Sequence, residues 1–243
     1  MKYELEVIAF DIASCNIASE NGATRIELCA NPNEGGTTPS YGMIKEARKA
    51  TNLQLFPIIR PRGGDFLYNE QEFDIMLNDI EISKQLGADG VVVGILNSDG
   101  EIDMERCTKL LAAADGMDVT FHRAFDRTND PFKALEQIIA LGCKRILTSG
   151  LHPTVDQGAG ILKLLVEKAA NRIIIMPGSG VRSSNILEIV AKTGARAFHS
   201  SARKTISSTM KFTHAAMNEK LEHTSLDGNE LIAIKNKLEE FFS

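Results

Sequence analysis

Short hydrophobic runs alternate along the chain with longer segments in which apolar residues recur every three or four positions. The eight runs are Tyr3–Ala9, Thr24–Cys29, Leu53–Ile59, Gly90–Gly94, Asp118–Phe121, Lys144–Thr148, Arg172–Met176 and Arg196–His199. Between them, residues such as Phe73, Met76, Leu77 and Ile80 have the spacing of one helix face. The pattern therefore predicts eight strands, each followed by a helix.

Capping residues and glycines mark the ends of the predicted helices. Thr38-Pro39, Asp103 and Asp130-Pro131 stand where helices should begin. Gly22, Gly87, Gly142 and Gly194 stand just past helices and before strands. Uninterrupted strand–helix alternation over this length predicts an α/β fold, a parallel (β/α)8 TIM barrel forming a single domain over residues 1–243. The alternative is an open, doubly wound sheet.

One segment before the C-terminal helix breaks the alternation. Residues 204–225 lack a clear period, so they form either a long ordered loop near the site or a surface loop. After them, Asp227 and Glu230 have the spacing of a capping box for a last helix, Gly228–Phe242. Leu231, Ile234, Leu238 and Phe241 share one face of that helix, which should close the barrel.

Composition narrows the classes of function. The 243 residues carry a net charge of −5 without a basic block, which disfavours nucleic-acid binding. No apolar run approaches the ~20 residues of a membrane span, and the N-terminus does not resemble a signal peptide. The four cysteines are far apart and form no CxxC pair, which favours reduced thiols and a cytoplasmic protein.

The C-terminal ends of the strands should carry the chemistry, as they do in other barrels of this type. Side-chain alternation within the strands turns Glu27, Arg60, His122 and His199 towards the barrel interior at that end. A carboxylate and a histidine in one cavity can act as general base and acid. The alternative is an interior hydrogen-bonded network without turnover, in which His199 is an ordinary buried histidine.

The catalytic hypothesis adds two residues to this group. Glu27 and His122 are the predicted acid–base pair, and Arg60 and Arg123 would stabilise developing negative charge. Asp126 would orient His122 or Arg123. The substrate would be a small anionic or phosphorylated metabolite.

A second set of residues predicts an anion site at the same end. Arginines after the third strand and glycine-bearing loops after the later strands supply the donors that phosphate or carboxylate needs. The predicted anion-binding residues are Arg60, Arg62, Ser149, Gly178, Gly180 and Ser201, with Asp65 and His199 as other pocket residues.

Four arginines, Arg25, Arg145, Arg172 and Arg196, stand instead at the beginnings of strands. Charges at that end of a barrel more often serve stability. With Glu4 or Glu6 nearby, we expect these arginines to form a paired inner layer, because an unpaired buried charge is costly.

At these residues the sequence closely resembles the CutC family, the so-called copper homeostasis proteins. The matching blocks are Arg25-Ile-Glu-Leu-Cys-Ala30, Glu34-Gly-Gly-Thr-Thr-Pro-Ser40, Pro57-Ile-Ile-Arg-Pro-Arg-Gly-Gly-Asp-Phe66, Thr120-Phe-His-Arg-Ala-Phe-Asp126, Ile146-Leu-Thr-Ser-Gly150, Gly178-Ser-Gly-Val181 and His199-Ser-Ser-Ala202. They span about residues 4–204. The resemblance implies a cytosolic (β/α)8 barrel, a homo-oligomer, and a role in copper tolerance through Cu(I). It brings no settled enzymatic reaction. Ile8 and Ala9 stand where relatives can carry cysteine.

Copper is the metal that the resemblance implies, and Cu(I) prefers thiolate and thioether ligands. Among the cysteines, only Cys29 stands at a strand C-terminus and points inwards, so it is the candidate metal ligand. The alternative is that Cys29 acts as a small hydrophobic residue. Three functions therefore remain open: copper binding, an enzyme for a small anion, and a barrel kept only for protein contacts.

Overall fold

Two four-stranded parallel sheets meet edge to edge and close into a barrel in the computed structural model, which describes residues 2–214 and 216–243. The barrel strands are β1 Glu4–Ala9, β2 Arg25–Leu28, β3 Gln54–Pro57, β4 Gly90–Val93, β5 Asp118–Phe121, β6 Arg145–Thr148, β7 Ile174–Pro177 and β8 Ala197–Ser200. The sheets have the orders β3-β2-β1-β8 and β4-β5-β6-β7. A parallel bridge between Ile58 and Val92 joins β3 to β4, and β7 lies beside β8. The predicted α/β barrel is confirmed.

Helices surround this barrel and alternate with its strands. They are α1 Ile12–Glu20, α2 Tyr41–Ala50, α3 Glu70–Gln85, α4 Met104–Ala113, α5 Pro131–Leu141, α6 Val155–Ala169, α7 Ile186–Thr193 and α8 Gly228–Phe241. Within residues 2–214 and 216–243, no helix is both long enough and apolar enough to cross a bilayer.

Alternation along the strands separates the helix-facing core from the barrel interior. In β2, Ile26 and Leu28 are fully buried in the main hydrophobic core. Arg25 lies on the other face of the strand, where it donates to Thr120 of β5 across the barrel. Glu27 has the same parity as Arg25 and lines a cavity inside the barrel. The predicted two faces of this strand are therefore correct.

Most of the predicted helix ends are correct. The side chains of Asp103 and Asp130 accept hydrogen bonds from the first turns of α4 and α5. The four predicted stop glycines, Gly22, Gly87, Gly142 and Gly194, all have positive φ angles, a conformation that glycine adopts without strain. Local sequence thus fixes where these helices stop.

Three predictions about helix boundaries were wrong in detail. Ser40, not Thr38, caps α2, so Pro39 precedes the helix. Asp227 does cap α8, but Glu230 forms no capping box because its carboxylate accepts hydrogen bonds from Ser183, after β7. Phe241 is 48% exposed, although its spacing predicted a place on the buried face of α8.

Two of the four arginines predicted at the beginnings of strands, the lower end of the barrel, do form a paired inner layer. Arg25 makes an ion pair with Glu6, and both side chains are 1% exposed. Arg145 pairs with Glu4 at 2.9 Å.

Arg172 and Arg196 do not belong to this inner layer. β7 begins at Ile174, two residues later than predicted, and Arg172 lies outside the barrel in an ion pair with Glu136. Arg196 lies over the ring of Phe242. Arg172 leaves the strand because Ala170 and Asn171, with φ angles of 46° and 61°, turn the chain before it.

The segment before α8 contains two strands that its sequence did not predict. β9 Arg203–Ile206 and β10 His223–Leu226 pair in antiparallel register, and Ile206 stands opposite His223. The paired strands therefore hold the two ends of the connecting segment, residues 207–222, next to each other. Ala215 lies outside the described residues.

Candidate functional site

A cavity of about 260 Å³ opens at the C-terminal end of the barrel. Glu27, Arg60, His122 and His199 all line it, so the structure brings together the four residues that alternation turned inwards. The four side chains come from β2, from the loop after β3, from the residue after β5, and from β8. They are 3–8% exposed, which places charged and titratable groups in a poorly hydrated space.

Glu27 lies next to His199 rather than in a hydrogen bond with its predicted partner, His122. The Nε2 atom of His199 is 3.7 Å from a carboxylate oxygen of Glu27, which is too long for a hydrogen bond. The Nδ1 atom of His199 is 2.6 Å from Glu6, which is buried on β1. Because a carboxylate accepts, Nδ1–H donates to Glu6 and Nε2 is left facing Glu27.

The surroundings of these groups shift their pKa values strongly. Burial raises the pKa of Glu27 to about 7; the charge of Glu6 adds to the effect, and His199 opposes it. Burial alone would lower the pKa of His199, but the hydrogen bond to Glu6 and the charges of Glu27 and Glu6 raise it. Glu27 is therefore a group that can gain or lose a proton near neutral pH.

His122 behaves in the opposite way. Burial and then the positive charge of Arg60 lower the pKa of His122 to about 3, so the ring is neutral at physiological pH. The amide of Ala124 donates to Nδ1 at 3.1 Å, so the proton of the neutral ring is on Nε2. This Nε2–H is buried and has no hydrogen-bond partner among residues 2–214 and 216–243. His122 thus offers a neutral donor, and not the protonated acid of a histidinium.

Arg60 holds the rim of the cavity. Its guanidinium donates to the carbonyl oxygens of Glu34 and Gly36, at 2.6 and 2.9 Å, and to that of Gly64 at 2.9 Å. These carbonyls belong to the loops after β2 and β3. Most donors of Arg60 are therefore used within the protein, and its Nε–H is buried without a partner in the described part of the chain.

Arg123 and Asp126 form one unit beside the cavity. Arg123 is 41% exposed, and it donates to Asp126 at 2.8 Å and to the hydroxyl of Ser149 at 2.8 Å. Asp126 also accepts from the amides of Ser149 and Leu151, both at 3.1 Å. Asp126 therefore orients Arg123, one of its two predicted partners.

Several predicted anion-binding residues do not line this cavity. Arg62 lies on the surface in ion pairs with Asp65 and Glu72. Asp65 is 68% exposed. The amide of Ser149 is bound to Asp126, and that of Gly178 donates to Thr148 at 2.9 Å, so neither amide is free to bind an anion. Gly180 and Ser201 do line the cavity, together with Arg60. The anion role of the whole set stays a prediction.

Cys29, the predicted metal ligand, is fully buried at the end of β2. Burial first, and then the charges of Glu27 and Glu6, raise the pKa of its thiol well above the ordinary value. Cys29 stands two residues after Glu27, and the charge of that carboxylate acts on its thiol. The other three cysteines are buried as well. Cys29 is therefore the thiol whose pKa depends on a titratable group of the cavity.

One group of residues is close enough to share a cation. Ligand atoms of Glu6, Glu27 and His199 all lie within 4.8 Å of one another. Two carboxylates and one imidazole are harder donors than Cu(I) prefers. Glu6 is also committed to Arg25.

Sequence reasoning missed three residues of the site. Glu6 had been placed in the lower layer only, although it has the inward parity of its strand and reaches up to His199. Arg203, on β9, lines the cavity from the position just before the segment that lacks a clear period. Ser179 lines it with a φ of 78°, an unusual backbone conformation for serine that no sequence signal revealed.

The fold and the site together define a (β/α)8 barrel with a charged, ligand-sized cavity at its C-terminal mouth. The sequence model of the CutC family matches residues 3–204, and the chain belongs to this family.

Curated relatives and a solved structure agree with this assignment. A family protein CutC from Bacteroides thetaiotaomicron is 53% identical over 218 residues, covering 89% of this chain and 88% of the relative. A human copper homeostasis protein cutC homolog is 45% identical over 213 residues, covering 88% and 78%. The crystal structure of a CutC protein from Streptococcus agalactiae superposes with a TM-score of 0.78 at 39% identity, covering 82% of this chain and 98% of that one.

Proposed function

We propose that this protein acts in copper homeostasis by binding Cu(I) at Cys29, at the edge of the mouth cavity. The human relative, 45% identical over 88% of this chain, is described as a copper homeostasis protein. The observation that carries the placement is the position of Cys29 two residues after Glu27, with the same parity, where the charge of that carboxylate acts on its thiol. Cytoplasmic location and homo-oligomeric assembly remain expectations from sequence.

Metal binding at a buried thiol requires a proton acceptor, since Cu(I) binds the thiolate. Glu27, with its pKa raised to about 7 by burial, is placed to take that proton. The copper–sulfur bond forms as the sulfur–hydrogen bond breaks, and Glu27 becomes a neutral carboxylic acid. The negative charge of Cys29 is then balanced by the copper ion. A second thiolate would come from another protomer or from a free thiol.

The test is Cu(I) competition against a calibrated chelator under anaerobic conditions. We expect Cys29→Ser to lose one equivalent of tightly bound copper, while Cys15→Ser loses none. Cys15 is the matched control because it too is fully buried, and its pKa is raised to about 12, mainly by burial. Wild-type copper stoichiometry in Cys29→Ser would refute this placement.

One observation supports a second function at the same cavity, acid–base catalysis on a small anionic metabolite. The pKa of Glu27 is raised to about 7, while that of His122 is lowered to about 3. Two titratable groups with pKa values moved in opposite directions suit different roles in one reaction. Glu27 would take a proton from the substrate. The neutral Nε2–H of His122 would donate to the oxygen on which negative charge develops.

Arg123 is the better candidate for contact with the substrate anion, because Arg60 donates to three backbone carbonyls. We expect Arg123→Ala to weaken binding of sulfate or a sugar phosphate, measured by calorimetry. For any substrate found, for example as a metabolite retained on the purified protein, Glu27→Gln and His122→Asn should lower kcat by about 10²–10⁴. Full activity in either variant would remove that residue from the mechanism.

The two functions make different demands on Glu27. Carbon-13 NMR of labelled glutamate should show one carboxyl titrating near pH 7 and absent in Glu27→Gln. Saturation with Cu(I) should change the pH at which that carboxyl titrates, because a copper thiolate then replaces the Cys29 thiol beside it. A titration that copper leaves unchanged would favour the catalytic function.

A further inference from the structure

The segment between β9 and β10, residues 207–222, concentrates soft donor atoms at the surface. Met210 and Met217 are 65% and 57% exposed. The other described methionines, at positions 43, 76, 104, 117 and 176, are buried or half-buried. His214 is exposed between the two, in the pattern Met210-x-x-x-His214-x-x-Met217. Three neutral soft or borderline donors thus lie within eight residues of each other along the chain.

Apolar side chains near the two methionines are exposed as well. Phe212, 72% exposed, lies between the two methionines, and Leu221, 43% exposed, follows them. Because more than half of each side chain is exposed, Met210 and Met217 contribute little to packing in the described structure. They suit either a metal that binds thioethers or a partner that covers apolar surface.

Local backbone geometry brings two donors of the motif, His214 and Met217, towards each other. The amide of Met217 donates to the carbonyl of His214 at 2.9 Å, which closes a turn between these two residues. The amide of Ala216 donates to Nδ1 of His214 at 3.3 Å, inside the same turn. These two hydrogen bonds hold His214 and Met217 close to each other.

The base of the segment adjoins the mouth cavity. Arg203, at the start of β9, lines that cavity. Thr205 and His223 line a neighbouring groove together with Phe10 and Pro32, and these last two residues also line the cavity. The soft donors are thus carried on a segment that begins and ends beside the mouth. The match to the family model ends at residue 204, before this segment.

We propose that Met210, His214 and Met217 form a surface site for Cu(I). This inference rests on the proposed copper function and adds a second position for the metal, distinct from Cys29. Thioethers and imidazole suit Cu(I) better than the carboxylates of the mouth do. Thioethers carry no proton at any physiological pH, so binding by Met210 and Met217 releases none, in contrast to binding at Cys29. The site is the more exposed of the two and takes the metal without opening the barrel.

The experiment uses the full chain and Cu(I) itself, under anaerobic conditions, with a chelator that reports stoichiometry. We expect the double variant Met210→Leu/Met217→Leu to bind one copper equivalent fewer than the wild type. Leucine keeps the volume and apolarity of methionine and removes only the sulfur. The matched control is Met43→Leu/Met104→Leu, in half-buried positions, which should leave the stoichiometry unchanged. X-ray absorption of copper-loaded Cys29→Ser should show sulfur and imidazole neighbours around the copper that remains.

The outcomes separate this inference from the proposed function. Loss of copper in Cys29→Ser alone, with the leucine pair unchanged, would support the placement at Cys29 and overturn the surface site. Loss in the leucine pair alone would support the surface site and refute the placement at Cys29. Unchanged stoichiometry in both variants would overturn both sites. A self-association that Phe212→Ser abolishes and the leucine pair retains, with copper binding unchanged, would assign the segment to a protein partner and overturn the inference.

Discussion

Charged side chains inside the barrel lie at two levels: a lower level, where the strands begin, and an upper level, at the mouth cavity. The two levels are organised differently. At the lower level every charge has an opposite partner: Arg25 pairs with Glu6, and Arg145 pairs with Glu4. Both guanidiniums also lie over the ring of Phe56, at 3.3 and 5.7 Å from its centroid. Pairing and stacking of this kind offset the cost of removing charge from water. The lower level is therefore built for stability.

At the upper level the charges are only partly satisfied. Glu27 is 3.7 Å from His199, beyond hydrogen-bond distance, and the Nε2–H of His122 has no partner in the described residues. When a buried titratable group lacks a close partner of opposite charge, burial disfavours its charged form and shifts its pKa. Glu6 connects the two levels, because it binds Arg25 below and His199 above. Arg25 and Arg145 also have buried N–H groups without partners in the described residues, so missing hydrogen bonds do not separate the levels. Ion pairing does: Glu6 and Glu4 each pair with a guanidinium, whereas the basic group nearest to Glu27 in the described residues is His199, at 3.7 Å.

The largest effect should come from breaking the lower level. We expect Arg25→Ala to reduce the free energy of unfolding by about 3–5 kcal/mol, because it leaves the buried carboxylate of Glu6 without its cation. Urea denaturation of the variant measures the loss. Arg172→Ala is the control: it removes an exposed pair with Glu136, which should be worth about 0–1 kcal/mol. Equal losses in the two variants would contradict the division into levels.

A smaller effect should come from acid acting on the upper level. Because the pKa of His122 is lowered to about 3 in the folded protein, the unfolded chain binds more protons below the ordinary histidine value. Stability should therefore fall as the pH drops from 6.5 to 4.5, by roughly 2–3 kcal/mol for this one group. His122→Gln should remove that part of the decline in denaturation curves recorded at several pH values.

The control for this pH dependence is His152→Gln, which changes an exposed histidine. That variant should follow the wild-type pH profile. A wild-type profile in His122→Gln would mean that His122 is solvated rather than held neutral in the folded protein.

The smallest effect should come from Arg62, which belongs to neither level. Arg62→Ala should change stability by about 0–1 kcal/mol, since its pairs with Asp65 and Glu72 lie at the surface. It should leave sulfate binding unchanged in calorimetry, whereas Arg123→Ala weakens it. Weaker sulfate binding in Arg62→Ala would restore this residue to the anion site predicted from sequence.

The hydrophobic pattern was sufficient to predict the barrel, because apolar residues recur with a different period in strands and in helices. Each strand–helix unit shows both periods. β5 was predicted at residues 118–121 and occupies them. β7 was predicted to begin at Arg172, but two residues of positive φ precede Arg172, and the strand begins at Ile174. The ladder of β9 and β10 had no signal, since neither strand has a buried face that would impose alternation along its whole length.

The candidate site was predictable as a set of inward residues but not as a set of partners. Parity placed Glu27, His122 and His199 in one cavity, because it depends only on position along a strand. Pairing depends on the stagger between strands. In the observed register Glu6 stands beside His199 and Arg25, so these three meet. The exposed position of Arg62 depends on the conformation of its loop, which the spacing of apolar residues does not predict.

The burial of all four cysteines has a consequence for how the protein can be probed. Thiol reagents attack the thiolate at an accessible sulfur, and burial raises the pKa of Cys15, Cys107 and Cys143 to about 12. In the native fold the four thiols should therefore react very slowly with such reagents. The labelling rate of each cysteine would then measure how often its surroundings open. Cys29 would report on the mouth and the other three on the helical shell. Mass spectrometry of partly labelled protein could then time the opening of the two regions separately.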